Sequence, residues 1–213
     1  MRGISCGSRC LVIALAIAGL HGCGEVPSDG PSLDETRWSY TGSVEDSDAV
    51  IGVTVRGDRL SAYICGGDRS YASMTRWFYR KEIEPTWIGG TFAMAKDDWW
   101  IHGELEPEGA SGTLRTGDGQ VKSWTALPRA AGTIAGTYSA GRDTCRIGAV
   151  VLQPEAGGPS TVQGVWCDGP DRLAQVTPIR PVVLTAGGLE VEIAPDGVAE
   201  RVFLEPVLAG DPD

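Results

Sequence analysis

An all-β fold, a single antiparallel barrel or sandwich built from two pseudo-repeats, follows from three features of the sequence. From Trp38 onward, short runs rich in Val, Ile, Thr, Trp and Tyr alternate with Gly, Asp and Pro, the punctuation of strands and turns. No long segment keeps the apolar period of a helix. A pattern also recurs: Ile51-Gly52-Val53-Thr54-Val55, then Tyr63-Ile64-Cys65-Gly66-Gly67, returns as Ile147-Gly148-Ala149-Val150-Val151, then Val165-Trp166-Cys167-Asp168-Gly169. Downstream, Gly89-Gly90-Thr91-Phe92 through Leu105-Glu106-Pro107 returns as Gly187-Gly188-Leu189-Glu190 through Leu204-Glu205-Pro206. Two units of this size are each too small for a comfortable core. They are expected to pack together, protecting strand edges and hiding both apolar faces.

The first hairpin carries its own register. A two-residue turn at Gly57-Asp58 puts Arg56 opposite Arg59 and sets Val55, Val53 and Ile51 against Leu60, Ala62 and Ile64, one wholly apolar face. A slip of one residue would set the same side chains against Ser61 and Tyr63, so the pairing is specified. Arg56-Gly57-Asp58 also spells an integrin-binding tripeptide, but glycine beside aspartate is turn chemistry. Residues 71–83, with Met74, Trp77 and Phe78, are assigned to a strand, although their spacing also suits a short helix. A hairpin over 91–105 turns at Lys96-Asp97-Asp98, and another over 111–126 turns at Gly117-Asp118-Gly119. The last has no counterpart downstream. The folded part, 37–208, is therefore read as repeat one (about 37–107), an inserted hairpin (108–128) and repeat two (about 132–208), with a tail at 209–213. Superposition of the repeats is expected to place Ile51 on Ile147, Cys65 on Cys167 and Gly89 on Gly187. A ligand site would then lie on the pseudo-axis or beside the unmatched hairpin.

The first 22 residues read as a signal peptide: Arg2 and Arg9, then an apolar stretch from Leu11 to Leu20 too short to span a bilayer stably, then small residues. Leu20-His21-Gly22-Cys23 resembles the lipobox of bacterial lipoproteins, with His21 in place of the usual small residue. That resemblance implies cleavage after Gly22, diacylation of the Cys23 thiol and anchoring in the cell envelope. Gly24 after the cysteine points to the outer membrane if the cell is a diderm. Residues 23–36, rich in Pro, Ser, Gly and acids, read as a flexible tether. The order Tyr63-x-Cys65-Gly66-Gly67, Trp77-Phe78, Gly89-Gly90-Thr91-Phe92 is also similar to β-rich domains of uncharacterised secreted bacterial proteins, a likeness that implies no activity.

Charge and cysteine usage narrow the function. Removing Arg2 and Arg9 with the signal leaves 16 basic against 28 acidic residues, a net charge of −12, which argues against nucleic acid and anionic membrane surfaces as partners. Cys6 and Cys10 leave with the signal and Cys23 takes lipid, so Cys65, Cys145 and Cys167 meet an oxidising compartment. Cys145 opens the second recurring hairpin and Cys167 closes it, and their bridging is favoured with Cys65 free and buried. A Cys65–Cys167 link across a pseudo-twofold axis is the alternative.

No catalytic constellation stands out. His102, the one histidine after the signal, shares a strand face with Trp100 and Glu104, and no Gly-x-Ser-x-Gly elbow accompanies it. The acids Asp46, Asp48, Asp97, Asp98, Asp118, Asp168 and Asp171 fall at turns without the alternation of a calcium loop, and no zinc ligand set, metal or cofactor is expected. Trp77, Trp99 and Trp100 are candidate ligand contacts, since neighbouring strand positions send one ring of each adjacent aromatic pair outward. The sequence thus predicts a membrane-anchored envelope lipoprotein with a non-enzymatic β domain that binds an envelope protein or glycan ligand, or plays a structural part. A small-molecule-binding barrel of lipocalin-like or avidin-like type is the alternative, followed by an envelope glycan hydrolase.

Overall fold

A computed structural model of the chain describes residues 37–57, 59–80, 89–142, 145–152, 158–169 and 172–207. The signal segment, Cys23, the tether, the tail, Asp58 and Asp171 lie outside them. The described residues form fifteen strands and no helix, joined into two antiparallel sheets.

The first sheet contains β1 (Arg37–Val44), β2 (Val50–Arg56), β3 (Arg59–Cys65), β4 (Arg76–Arg80), β5 (Gly90–Lys96), β6 (Trp99–Glu106), β7 (Gly109–Arg115) and β8 (Val121–Pro128). Its order, β4-β3-β2-β1-β8-β7-β6-β5, makes an up-and-down barrel open only at the β4/β5 seam. Arg76 bridges that seam, pairing with Asp97 at 3.3 Å and lying 5.3 Å from the centre of the Trp99 ring. The β2–β3 register is the expected one, with Ile51, Val53 and Val55 opposite Ile64, Ala62 and Leu60. Gly57 turns the hairpin at φ 57°. The hairpins turning at Asp97-Asp98 and around Gly117-Gly119 also form as expected, and Asp97 takes a positive φ of 53°. The strand expected over 71–83 forms over Arg76–Arg80, with Trp77 and Phe78, while 81–83 lie outside the described residues and the start of the segment differs. Tyr71 and Met74 donate backbone hydrogen bonds to Gly67 and Ser70, so turns occupy the chain until β4 begins at Arg76.

The barrel interior is solid. Tyr40, Phe78, Phe92, Ile101, Leu114 and Trp124 are fully buried there, and small positions make room for them. A Cβ on Gly103 would sit 2.4 Å from the Trp124 ring and 2.6 Å from Phe92. Alternation of large and small inward residues is how an eight-stranded barrel fills its own lumen.

The second sheet contains β9 (Gly136–Arg142), β10 (Cys145–Val151), β11 (Val162–Cys167), β12 (Leu173–Val176), β13 (Val183–Leu184), β14 (Leu189–Ile193) and β15 (Glu200–Pro206). In the order β12-β11-β10-β9-β15-β14-β13 it curls into a half-barrel over its own core, which includes Ile147, Val151, Trp166, Leu189, Val191 and Leu204. Cys145 and Cys167 are bridged, with Cα atoms 6.3 Å apart, and Cys65 is a buried free thiol.

The repeat correspondence holds for the first recurring block and stops there. Gly52 faces Tyr63 and Gly148 faces Val165, so in both hairpins the residue two before the cysteine opposes the Ile-Gly glycine. The second block takes different places: Gly89-Gly90 leads into β5 at the barrel's far edge, whereas Gly187-Gly188 leads into β14, whose partner β15 pairs with β9. The place beside β1 belongs to β8. Gly89 and Gly187 are therefore not sheet equivalents, and the pseudo-axis gives no grounds for a site. The 108–128 hairpin supplies β7 and β8, which close the barrel so that 37–128 builds a core of its own.

The two sheets are joined across the outer face of β2–β4. Val50, Tyr63, Cys65 and Trp77 pack there against Val150, Val165 and Val207. This explains why β2 and β3 are buried on both faces where β5, β6 and β8 alternate. The Ile-Gly glycines serve this joint: a Cβ on Gly52 would lie 2.0 Å from Thr137 Oγ1, and one on Gly148 would lie 2.5 Å from Tyr63 and 2.7 Å from Trp77. At both glycines the close neighbours are side chains of the facing sheet.

Candidate functional site

At one end of the joint the sheets part into an open cleft of about 470 Å³, lined by Asp48, Asp68 and Arg69 from the barrel and Gln163, Gln175 and Thr177 from the half-barrel. That volume falls in the range of small-ligand pockets. Its walls are fixed by cross-sheet bonds. The Gln163 amide nitrogen donates to the carbonyls of Asp48 and Cys65, both at 2.8 Å. The Asp48 carboxylate accepts from the Ser70 hydroxyl, from Arg69 N–H at 2.9 Å and from Arg69 Nε at 3.4 Å. Burial disfavours its charge, but these donors outweigh burial and hold the carboxyl at about 2. Asp48 is therefore ionised throughout the neutral range, a structural acceptor and not a proton donor for glycan hydrolysis. Gln175 has a buried side-chain oxygen without a hydrogen-bond partner among the described residues.

The three tryptophans named from the sequence are kept apart. Trp77 is 8 % exposed and lies between the sheets, stacked on Tyr63 at 4.0 Å and on Tyr79 at 5.8 Å. Arg146 of β10 covers this ladder, its guanidinium 4.7 Å from the Trp77 ring while donating to Tyr79 Oη at 2.7 Å and Ser139 Oγ at 2.8 Å. Trp99, 5 % exposed, points into the barrel mouth, and Trp100, 38 % exposed, points out. The outward Trp100 ring stacks on His102 at 5.7 Å and 12°. Trp77 and Trp99 thus hold the fold, and Trp100 alone of the three is presented to solvent.

Several other polar groups are engaged in structure. Asp118 accepts from the Thr116 hydroxyl and from Gln120 N–H, a side-chain turn motif. Arg142 and Arg172 flank the Trp166 ring at 5.0 and 5.7 Å, and both pair with Asp168 while reaching Glu200 and Asp196 respectively. Burial pushes the Cys65 thiol up to about 12, so it is no nucleophile. Among the described residues no group of three or more His, Cys, Asp and Glu converges on a metal-sized site. Sequence reasoning missed Asp68, Arg69, Gln163, Gln175 and Thr177, because the cleft exists only once distant hairpins meet; Asp48 was noticed only as a turn acid. No protein-family description, curated protein or solved structure matches the chain.

Proposed function

We propose that this chain is an exported, lipid-tethered and non-enzymatic binding module of the cell envelope, engaging its ligand or partner on the outside of a solid barrel. The observation that carries the reading is the packed interior around Trp124, Phe92 and Tyr40, which leaves recognition to outer surfaces. The Cys145–Cys167 bridge supports an oxidising compartment. The lipobox-like Leu20-His21-Gly22-Cys23 supplies the anchor, and the tether at 23–36 sets the domain off from the membrane, the outer one in a diderm. Metabolic labelling with an alkyne fatty acid tests the anchor. The wild-type chain is expected to take the label and Cys23→Ala to lose it, with accumulation of uncleaved precursor; a fully labelled Cys23→Ala protein would contradict the reading.

A further inference from the structure

The half-barrel covers β2–β4, and the opposite side of the barrel, the outer face of β5–β8, stays open to solvent. Its centre is an aromatic strip. Trp100 and His102 stand two residues apart on β6 with nearly parallel rings. Toward β5 they are flanked by Ala95 and Ala93, whose methyl groups leave the rings standing proud. Toward β7 and β8 the register places Arg115 opposite Trp100, and Thr113 then Ser123 beyond His102. Adjacent strands lie about 4.8 Å apart, so this four-strand face is roughly 14 Å wide.

Its chemistry is selective. Because the two rings stack on each other, one face of each is turned toward its neighbour and the outer faces are left for the C–H side of a pyranose, while short hydroxyls alongside match the sugar's own hydroxyl groups. Protein-interface cores are instead rich in packed apolar side chains, whereas here the exposed apolar residues Val121 and Leu127 lie on β8, two strands from the ring pair. The charge also matters: in a chain with ten more acids than bases, Arg115, like Arg56, is exposed and has no carboxylate partner among the described residues, and Arg115 alone of the two stands beside the ring pair. On these strands the nearest outward carboxylate along β6 is Glu104, past His102. An exposed guanidinium next to a stacking ring complements a carboxylate carried on a sugar.

We propose that the β5–β8 face binds a glycan chain whose sugars carry carboxylates, with Trp100 and His102 stacking the sugar rings and Arg115 pairing with a carboxylate. This rests on the binding-module reading and names its ligand class. The test is calorimetric titration of the full-length, detergent-solubilised protein with polygalacturonate and with a neutral β-glucan of matched length. The expected result is saturable binding of polygalacturonate, weakened at least about tenfold by Trp100→Ala and largely kept by Trp100→Tyr. Arg115→Gln is expected to weaken polygalacturonate about tenfold and to remove most of its salt dependence. Both sites are exposed, so unchanged unfolding midpoints confirm that the variants are folded. No polygalacturonate binding by the wild type, or equal binding by Trp100→Ala, overturns the site. Neutral glucan bound as tightly as polygalacturonate overturns the carboxylate assignment. Either failure with Cys23 still acylated removes this ligand class and leaves the tethered-module reading standing, whereas unlabelled Cys23 strikes that reading itself.

Discussion

Gly148→Val is expected to destabilise the protein by about 3 kcal/mol or more, lowering the thermal midpoint by on the order of 10 °C. The new side chain would enter the joint where Tyr63 and Trp77 already lie against the β10 backbone, with its Cβ 2.5 and 2.7 Å from their rings. Neither ring has anywhere to go. Tyr63 donates its hydroxyl to the Gly148 carbonyl at 3.3 Å, and Trp77 is held between Tyr63, Tyr79 and Arg146. Relief therefore requires the sheets to separate, exposing Val50, Val150 and Val165. Gly141→Ala on β9 is the control: a Cβ there meets nothing within 4 Å, and a change within about 0.5 kcal/mol is expected. Urea unfolding of the two variants, followed by tryptophan fluorescence, checks both values. A near-neutral Gly148→Val would mean that the sheets do not meet as described.

Trp124→Ala should cost roughly 3–5 kcal/mol, the range for deleting a large core ring. Trp124 is fully buried, its indole N–H donates to the His102 carbonyl at 3.2 Å, and its ring packs near Phe92 at 6.1 Å and over Gly103. Truncation removes this contact area and leaves a void beside Gly103 that strands held in a barrel cannot readily collapse. Trp100→Ala, on the same barrel but facing solvent, is expected to stay within about 1 kcal/mol of wild type. The comparison is read from urea midpoints at equal m-values. Similar losses for the two variants would contradict the inside-outside assignment of the tryptophans.

Local pattern carried a good share of this fold. The β2–β3 register was legible because one apolar face and the Gly57 turn admit a single pairing. That one of Trp99 and Trp100 points outward followed from the strand period, and the structure shows that it is Trp100. The Cys145–Cys167 bridge was favoured because both cysteines lie at one end of a hairpin, 22 residues apart. What failed was non-local. Val50, Thr54, Ser61 and Tyr63 face out of the barrel and would be exposed on an isolated one, so nothing within β2–β3 announces the second sheet that buries them. The role of the 108–128 hairpin was misread for the same reason: whether a hairpin is an appendage or a closing pair depends on what stands beside β1, and β8 lies some eighty residues away in sequence. Nothing in the sequence near Gln163 and Gln175 marks a cleft, which arises only where β11 and β12 meet the Asp48 and Gly67–Arg69 loops.

The proposed binding on outer surfaces requires that the barrel be a filled scaffold. Titration of the wild-type protein with a fluorescent fatty acid addresses this most directly, because an eight-stranded barrel with an empty lumen would take up such a probe. A linear, non-saturating response is predicted, since Tyr40, Phe78, Phe92 and Trp124 already occupy the interior. Saturable one-to-one binding with quenching of the buried tryptophans would contradict it and return the protein to the lumen-binding class.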